Sequence, residues 1–338
     1  MKKANIILFL AAFAIIGCKQ GQKKQTETYQ KQEETAQKPD KNAKTYAELS
    51  IRKGDDWKPE KFGGGAFMNV DSVQLPEGFS DHAYYIRYEG PGWENAQVGY
   101  RMYLDWRNAI DIFGKKVDTL VLPYVGQDDY ERYHHESSWG QDVLKAGKSL
   151  GIGGFGRFMN DTVAHFRSVE KTVAYVENKE DFSTVKIDYD GWKTGDQTID
   201  LDADFQIFPS GRYTKIALTP SATIEGLCTG IVKFDDIPLI EKKSENGDWA
   251  YVATYGTQTL VNDTDKLGMA IFYKTSEVAD LIKGKNDHLI VFKPSTKTIT
   301  YYLLGAWEQE NNGVTTKEDF IASIDENLST LEANGKLE

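Results

Sequence analysis

Apolar and polar side chains alternate with a period of two along most of the chain after residue 46. This alternation is typical of β-strands that bury one face, and clusters of Gly, Pro, Asn and Asp between the alternating segments predict turns. One of these clusters, Pro294-Ser-Thr296, predicts a hairpin between the last two strands. The predicted strands are 83–88, 99–106, 162–169, 183–189, 197–205, 213–219, 229–234, 250–260, 266–273, 287–293 and 297–303.

Helical periodicity is confined to two segments. A short helix is predicted at 141–148 and a longer one at the C-terminus, where Thr315 to Glu318 form a capping-box pattern. Four apolar residues then repeat at helical spacing, namely Phe320, Ile324, Leu328 and Leu331. Many short strands in a chain of this size predict a single all-β domain over 46–338. We expect a large antiparallel β-sandwich, of the galactose-mutarotase or lyase supersandwich type, with a C-terminal helix.

The N-terminal segment predicts a lipoprotein signal. Lys2 and Lys3 precede an apolar run that is too short to act as a stop-transfer helix, and the run ends in Ile15-Ile16-Gly17-Cys18, a lipobox. Residues 1–17 are therefore predicted to be cleaved, Cys18 to be lipidated, and the polar segment 18–45 to form a disordered tether. Because Lys19 follows the cysteine and no acidic run does, we expect an outer-membrane anchor that faces the periplasm.

Net charge and cysteine content narrow the class of protein. The formal net charge is −11, which argues against nucleic acid as a partner because an acidic protein repels a polyanion. An anionic glycan would have to be bound by local Arg and Lys side chains, which favours a small site for short oligosaccharides. Cys228 is the one cysteine of the mature domain besides Cys18, so no intramolecular disulfide is expected, and a buried, unreactive thiol is predicted there.

The segment 99–107 carries the first candidate chemistry. Read as a strand, it places its apolar residues on one face and two arginines, a tyrosine and an aspartate on the other. The polar face is either a solvated sheet face or, on a concave sheet, a site for an anionic, polyhydroxylated ligand. The polar residues are Arg101, Tyr103, Asp105 and Arg107.

Two adjacent histidines, His134 and His135, are the second set of candidate catalytic residues. In an extended segment their side chains point to opposite sides, so at most one enters a given site; the alternative is a surface or packing pair. A zinc site would need three or four converging ligands, and no such spacing is recognisable, so neither a metal nor another cofactor is predicted. Further candidate ligand contacts are Trp139, Lys145, His165 and Arg212, although residues placed as the last two are more often solvent-facing.

Four blocks taken in order resemble a known family. They are the aromatic loop 88–94, the segment 99–115, the block 133–147 and the glycine-rich segment 151–157. They resemble secreted Bacteroidota proteins from polysaccharide-utilisation loci that were long labelled a domain of unknown function. The resemblance runs from about Tyr46 to the C-terminus. The family's characterised activity is an oligosaccharide dehydratase acting on fragments of ulvan, the sulfated rhamnose–uronate polysaccharide of green algae.

The resemblance implies elimination of water across C4–C5 of a terminal uronic acid, with a sulfated, uronate-containing oligosaccharide as substrate. Two alternatives stay open: a non-catalytic glycan-binding lipoprotein, and a polysaccharide lyase that cleaves a glycosidic bond by the same elimination. The dehydratase reaction needs a cation on the carboxylate, a base for the C5 proton and an acid for the leaving hydroxyl. Our assignments are Arg101 or Arg107 on the carboxylate, His134 or His135 as base, Tyr103 as acid, Asp105 to orient one of them, Trp139 to stack on a sugar, Lys145 or Arg212 to hold a sulfate, and His165 as a further contact.

The lipobox yields a direct prediction. Cys18→Ser removes the thiol that would carry the lipid, so the variant should leave the membrane fraction after cell breakage. Fractionation of parent and variant, followed by immunoblotting, checks this. A variant that still sediments with membranes as the parent does would mean that the anchor lies elsewhere.

Overall fold

The computed structural model describes residues 40, 42–52, 66–82, 84–127 and 132–338. The predicted signal peptide, Cys18 and most of the predicted tether lie outside the described residues, so these remain predictions. Among the described residues no helix is long and apolar enough to cross a membrane.

The described residues form 21 β-strands and one α-helix, α1 (Lys317–Asn334). Short 3-10 helices lie at Arg87–Glu89, Leu122–Tyr124, Arg132–His134 and Thr275–Glu277. The strands are β1 (Thr45–Glu48), β2 (Ser50–Arg52), β3 (Phe67–Asn69), β4 (Ser72–Gln74), β5 (Gly92–Asn95), β6 (Val98–Met102), β7 (Ile110–Lys115), β8 (Gly140–Asp142), β9 (Ile152–Met159), β10 (Thr162–Ala164), β11 (Lys171–Asn178), β12 (Ser183–Thr194), β13 (Gln197–Ile207), β14 (Tyr213–Pro220), β15 (Leu227–Val232), β16 (Ile240–Lys243), β17 (Trp249–Gly256), β18 (Leu267–Lys274), β19 (Val278–Lys283), β20 (Asp287–Phe292) and β21 (Ile299–Trp307).

The strands are arranged in two layers. One layer is a nine-stranded sheet with the order β16-β17-β18-β21-β14-β13-β12-β11-β4. The other consists of two five-stranded sheets, β1-β5-β6-β7-β8 and β10-β9-β15-β20-β19, which are joined by an isolated bridge between Ile110 and Gly151. Strands β2 and β3 form a separate pair. The fold is therefore an all-β sandwich with a C-terminal helix, and the prediction of this fold class is confirmed.

The main core lies between the two layers. In β13, Leu201, Ala203 and Phe205 are buried, whereas Asp200 and Asp202 on the opposite face are exposed. The ring of Phe205 lies 5.3 Å from that of Trp93 in β5 of the facing sheet. The period-two pattern thus identifies which face of the large sheet is buried. Cys228 is fully buried, as predicted.

Helix α1 covers part of the outer face of the nine-stranded sheet, where it packs on β17 and β18. Its four predicted apolar residues are all buried, and Phe320 stacks on Tyr255 at 5.4 Å. The N-cap is Thr316, whose hydroxyl accepts from the backbone N–H of Asp319, so the cap lies one residue after the predicted one. Gly335 ends the helix with φ at 71°, a conformation that glycine adopts without strain.

The predicted strand 99–106 is too long. Strand β6 ends at Met102, and the chain turns over residues 104–107. The Asp105 carboxylate accepts from the backbone N–H of Arg107 at 2.8 Å, and Asn108 has φ at 48°. The Asp105 side chain therefore closes a local turn. Aspartate often ends a strand in this way, because its carboxylate bonds to a backbone N–H that would otherwise bond to the neighbouring strand. Asp105 and Arg107 therefore do not share a strand face with Arg101.

Other predicted elements are also wrong. Residues 141–148 form no helix, since β8 is followed by extended chain in which the Asp142 side chain accepts from the backbone N–H of Leu144. Of the predicted strand 83–88, the described residues 84–88 form no strand and lead into the 3-10 helix Arg87–Glu89. Of the range 162–169, Thr162–Ala164 is a strand. Pro294-Ser-Thr296 joins two different sheets and makes no hairpin, because β20 pairs with β15 and β19 whereas β21 pairs with β14 and β18.

The packing of α1 predicts a stability difference between two positions on the same helix. Leu328→Ala should lower the free energy of unfolding by about 2–5 kcal/mol, because it leaves a cavity against the sheet. Glu326→Ala, on the exposed face, should change it by no more than about 0.5 kcal/mol. Urea denaturation followed by tryptophan fluorescence measures both. Equal values for the two variants would show that α1 does not depend on this packing.

Candidate functional site

A buried arginine is the centre of the candidate site. Strand pairing places Arg101 of β6 opposite Asp111 of β7, and β8 brings Asp142 to the same face. One guanidinium nitrogen of Arg101 donates to Asp111 at 2.9 Å, to Asp142 at 2.8 Å and to the Tyr103 hydroxyl. The other donates to the Tyr133 hydroxyl at 3.0 Å. Arg101 is fully buried, so its charge is neutralised by protein groups and not by water.

Two guanidinium groups contact the ring of Tyr103. The Arg101 guanidinium carbon is 4.4 Å from the centre of the Tyr103 ring and that of Arg107 is 4.0 Å from it. The Tyr103 hydroxyl donates to Asp111 at 2.6 Å. Burial raises the pKa of Tyr103 well above its usual value, although the charge of Arg101 opposes this shift. At neutral pH the phenol is therefore protonated and is a proton donor.

His134 is the histidine that the structure connects to this cluster. Its Nδ1 lies 3.2 Å from Asp142, and its ring lies 4.4 Å from that of Tyr133. About a quarter of its side chain is exposed, at 24%, so His134 joins the buried charges to the surface. His135 is exposed to solvent. An aspartate on Nδ1 fixes the tautomer and leaves Nε2 as the basic nitrogen, as in many catalytic histidines.

The Asp111 carboxyl has a perturbed acidity. Burial and the neighbouring Asp142 raise the pKa of Asp111 to about 7, while Arg101 and the hydroxyl of Tyr103 oppose the shift. One guanidinium is thus shared by two carboxylates, and Asp111 holds a proton more tightly than a free aspartate would.

Arg107 and Asp105 form a second charged group beside Tyr103. Arg107 donates to both carboxylate oxygens of Asp105 and to Asp81 at 2.6 Å, and about a tenth of its side chain is exposed, at 10%. Asp81, His82 and Glu89 present ligand atoms within 4.8 Å of one another, a spacing that could hold a metal ion. The Arg107 guanidinium lies 3.9 Å from Glu89 as well, so it competes with a cation for these carboxylates.

The remaining predicted residues lie at different distances from the cluster. His165 contacts the backbone carbonyl of Arg107 at 3.2 Å, and Trp139 packs edge-on against Phe113 in β7. Lys145 is exposed beyond β8. Arg212 is paired with Glu310, and its carbonyl accepts from Tyr100, which is on the opposite face of β6 from Arg101. The structure therefore brings Arg101, Tyr103, Asp105, Arg107 and His134 together and leaves Arg212 apart.

Sequence reasoning missed three members of the cluster, namely Asp111, Tyr133 and Asp142. Asp111 carried a usable signal, because a charge between Ile110 and Ile112 in a strand marks the face opposite the apolar one, which is the face that carries Arg101. Tyr133 and Asp142 carried no such signal. Their hydrogen bonds to Arg101 depend on how the 3-10 helix Arg132–His134 is placed beside β8.

A cavity of about 650 Å³ adjoins this region. Asp105 and Trp106 line one wall, and the segment 74–80 lines another. The exposed side chains Arg167 and Lys171 line the cavity together with the carboxylates of Glu77, Asp105 and Glu170, and Lys171 is paired with Asp190. The Arg167 guanidinium stacks on the Trp106 ring at 3.6 Å. An aromatic wall beside cations is suited to an anionic sugar.

The sequence matches the family described as "Domain of unknown function (DUF4861)" over residues 13–334. The chain belongs to this family. No curated protein matches the sequence. Among solved structures the fold is similar to one described as "Putative kojibiose phosphorylase from human microbiome", with a TM-score of 0.38 and 11% identity over 72% of this chain. The match covers 32% of that phosphorylase.

Removing the buried arginine tests how strongly the cluster depends on it. Arg101→Met leaves Asp111 and Asp142 without their shared cation, so the free energy of unfolding should fall by about 3–5 kcal/mol near pH 8. The loss should be smaller near pH 5, because Asp111, whose pKa is raised in the folded protein, is then protonated and needs no cation. Arg167→Met, at an exposed arginine, is the control for both pH values. Urea denaturation that shows the same small loss for both variants would contradict the prediction.

Proposed function

We propose that this protein is a dehydratase that eliminates water across C4–C5 of the non-reducing-end uronic acid of ulvan oligosaccharides. The observation that carries the proposal is the pairing of a histidine base with a protonated tyrosine through one buried network. Asp142 contacts His134, and Asp111 accepts a hydrogen bond from Tyr103. Arg101 donates to Tyr103, Asp111 and Asp142 and so links the two pairs. The family resemblance supplies the substrate class.

The proposed reaction begins with removal of the C5 proton. Nε2 of His134 takes this proton while Asp142 stabilises the imidazolium that forms. The electron pair left at C5 is delocalised into the uronate carboxylate, whose charge must be neutralised first. We assign this task to Arg107, because part of its side chain is exposed whereas Arg101 is fully enclosed.

Departure of the 4-hydroxyl completes the elimination. The C4–O bond breaks as the C4–C5 double bond forms, and Tyr103 donates its proton so that water leaves and not hydroxide. The guanidinium groups of Arg101 and Arg107, which both contact the Tyr103 ring, stabilise the negative charge of the phenolate that results. A proton returned from His134 to Tyr103 by solvent or directly would restore the starting state. Arg101 thus acts on Tyr103 in this proposal and does not bind the carboxylate.

The rest of the oligosaccharide would lie in the cavity beside the turn 104–107. Trp106 offers an apolar ring for a pyranose face, and Arg167 and Lys171 offer cations for sulfate groups. We further propose that Cys18 carries a lipid that anchors the protein to the outer membrane on the periplasmic side, so that short oligosaccharides entering the periplasm are its substrates.

Product analysis tests the proposal against its alternatives. The purified protein is incubated with saturated, uronate-terminated ulvan oligosaccharides, and the products are examined by mass spectrometry and ultraviolet absorbance. A dehydratase removes one water at constant chain length and creates the absorbance of a conjugated enoate. A shortened chain would indicate a polysaccharide lyase, and an unchanged substrate would indicate a binding protein; either result overturns the proposal.

The two adjacent histidines give a matched pair of variants. His134→Gln should lower turnover about 10²–10⁴-fold, because it removes the base that Asp142 orients. His135→Gln changes an exposed neighbour and should leave turnover nearly unchanged. Tyr103→Phe should also lower turnover about 10²-fold or more, because it removes the donated proton. Initial rates of enoate formation measure all three, and full activity of His134→Gln would remove the histidine from the mechanism.

A further inference from the structure

A second cavity lies away from the Arg101 cluster, at one end of the sandwich. It has a volume of about 530 Å³ and is enclosed by β16 and β17 of the nine-stranded sheet, by β19 and β20 of a five-stranded sheet, and by the segment 233–239. It shares no lining residue with the site described above. Its walls are mostly apolar, with Leu239, Val252 and Leu281 among them.

His288 is the buried polar side chain of this cavity. It is 5% exposed, and neither of its ring nitrogens has a hydrogen-bond partner among the described residues. In the strand register His288 is opposite Ile231 on one side and Lys283 on the other, so the three side chains share one face. Ile231 belongs to the core between the layers, so this face points inward. A buried imidazole with no partner costs free energy unless something in the cavity bonds to it.

The charges around His288 favour an anion. Lys283 is exposed at the cavity wall and forms no ion pair among the residues that the structure describes, whereas Lys233 donates to the carbonyl of Gly284 and lies 3.9 Å from Asp235. Asp235, Asp236 and Glu241 also line the cavity, but all three are exposed at its mouth. Burial, Lys233 and Lys283 each lower the pKa of His288, so the imidazole is neutral at pH 7 and can donate one hydrogen bond.

We propose that this cavity binds a small carboxylate with an apolar body. The carboxylate would lie between the Lys283 ammonium and the N–H of His288, and the apolar body would pack against Leu239, Val252 and Leu281. The volume is within the range of small-molecule sites, which combine apolar walls with a few polar groups. The site is independent of the proposed dehydratase reaction, so it would stand if that proposal failed.

Nuclear magnetic resonance of the histidine side chains tests this proposal, since the chain has five histidines. The probes are benzoate and 4-methylpentanoate, with benzyl alcohol and 4-methylpentanol as neutral matches. We expect the carboxylates to shift the His288 ring signals in a saturable way and to raise the melting temperature. We expect the alcohols to bind at least about tenfold more weakly, because they lack the charge-assisted contacts.

Three variants make the outcome decisive. His288→Phe should weaken carboxylate binding about tenfold or more, and Lys283→Gln should weaken it about fivefold while leaving alcohol binding unchanged. Lys285→Gln, an exposed lysine two positions further on that does not line the cavity, should change neither. If His288→Phe does not fold, the carboxylate affinities of Lys283→Gln and Lys285→Gln still test the proposal. Absence of saturable binding, equal binding of the alcohols, or equal affinity in the two lysine variants would overturn the proposal.

Discussion

The five-stranded sheet β1-β5-β6-β7-β8 must bury charge on one of its faces, and much of the molecule follows from that constraint. Its inner face is apolar and meets the large sheet, with Trp93, Met102 and Ile112 in the core. Its outer face carries charged side chains that are as deeply buried as the core. These are Glu48, Glu94, Arg101, Asp111, Lys115 and Asp142. A buried charge is tolerated only when it is paired and hydrogen-bonded, so each of these groups needs a partner that the sheet itself or a covering loop supplies.

The covering loops are positioned by these charges. The Glu94 carboxylate is fully buried; it pairs with Lys115 at 2.7 Å and accepts from the backbone N–H groups of Val121 and Leu122. Arg87 pairs with Glu48 and also donates to the carbonyls of Leu122 and Val125. Replacing such pairs with apolar residues is often neutral for stability, which suggests that their value here is geometric. They fix the position of residues 121–125 over this face of the sheet.

The sequence predicts the fold better than it predicts the site, and the reason is physical. Period-two alternation reports burial on one face, so β13 and the apolar face of β6 could be recognised, as could α1 from the spacing of Phe320 and Leu328. The alternation in 99–107 does not decide the role of its charged face, because both a solvated face and a ligand-binding face fit the same pattern. The structure gives a third answer, in which Arg101 is buried beneath loops. Nothing local to Arg101 encodes the loops that cover it.

The turn 104–107 shows why the site needs the tertiary structure. Had the strand continued, Arg101, Tyr103, Asp105 and Arg107 would stand in one row. Arg107 would then lie four residues along the strand from Tyr103, too far for its guanidinium to contact the Tyr103 ring. Because Asp105 closes a turn, Arg107 folds back over Tyr103, and a single phenol contacts two guanidinium groups. The same turn places Asp105 and Trp106 on the wall of the neighbouring cavity. One aspartate that ends a strand thus creates both the electrostatic environment of Tyr103 and the surface on which a longer ligand would lie.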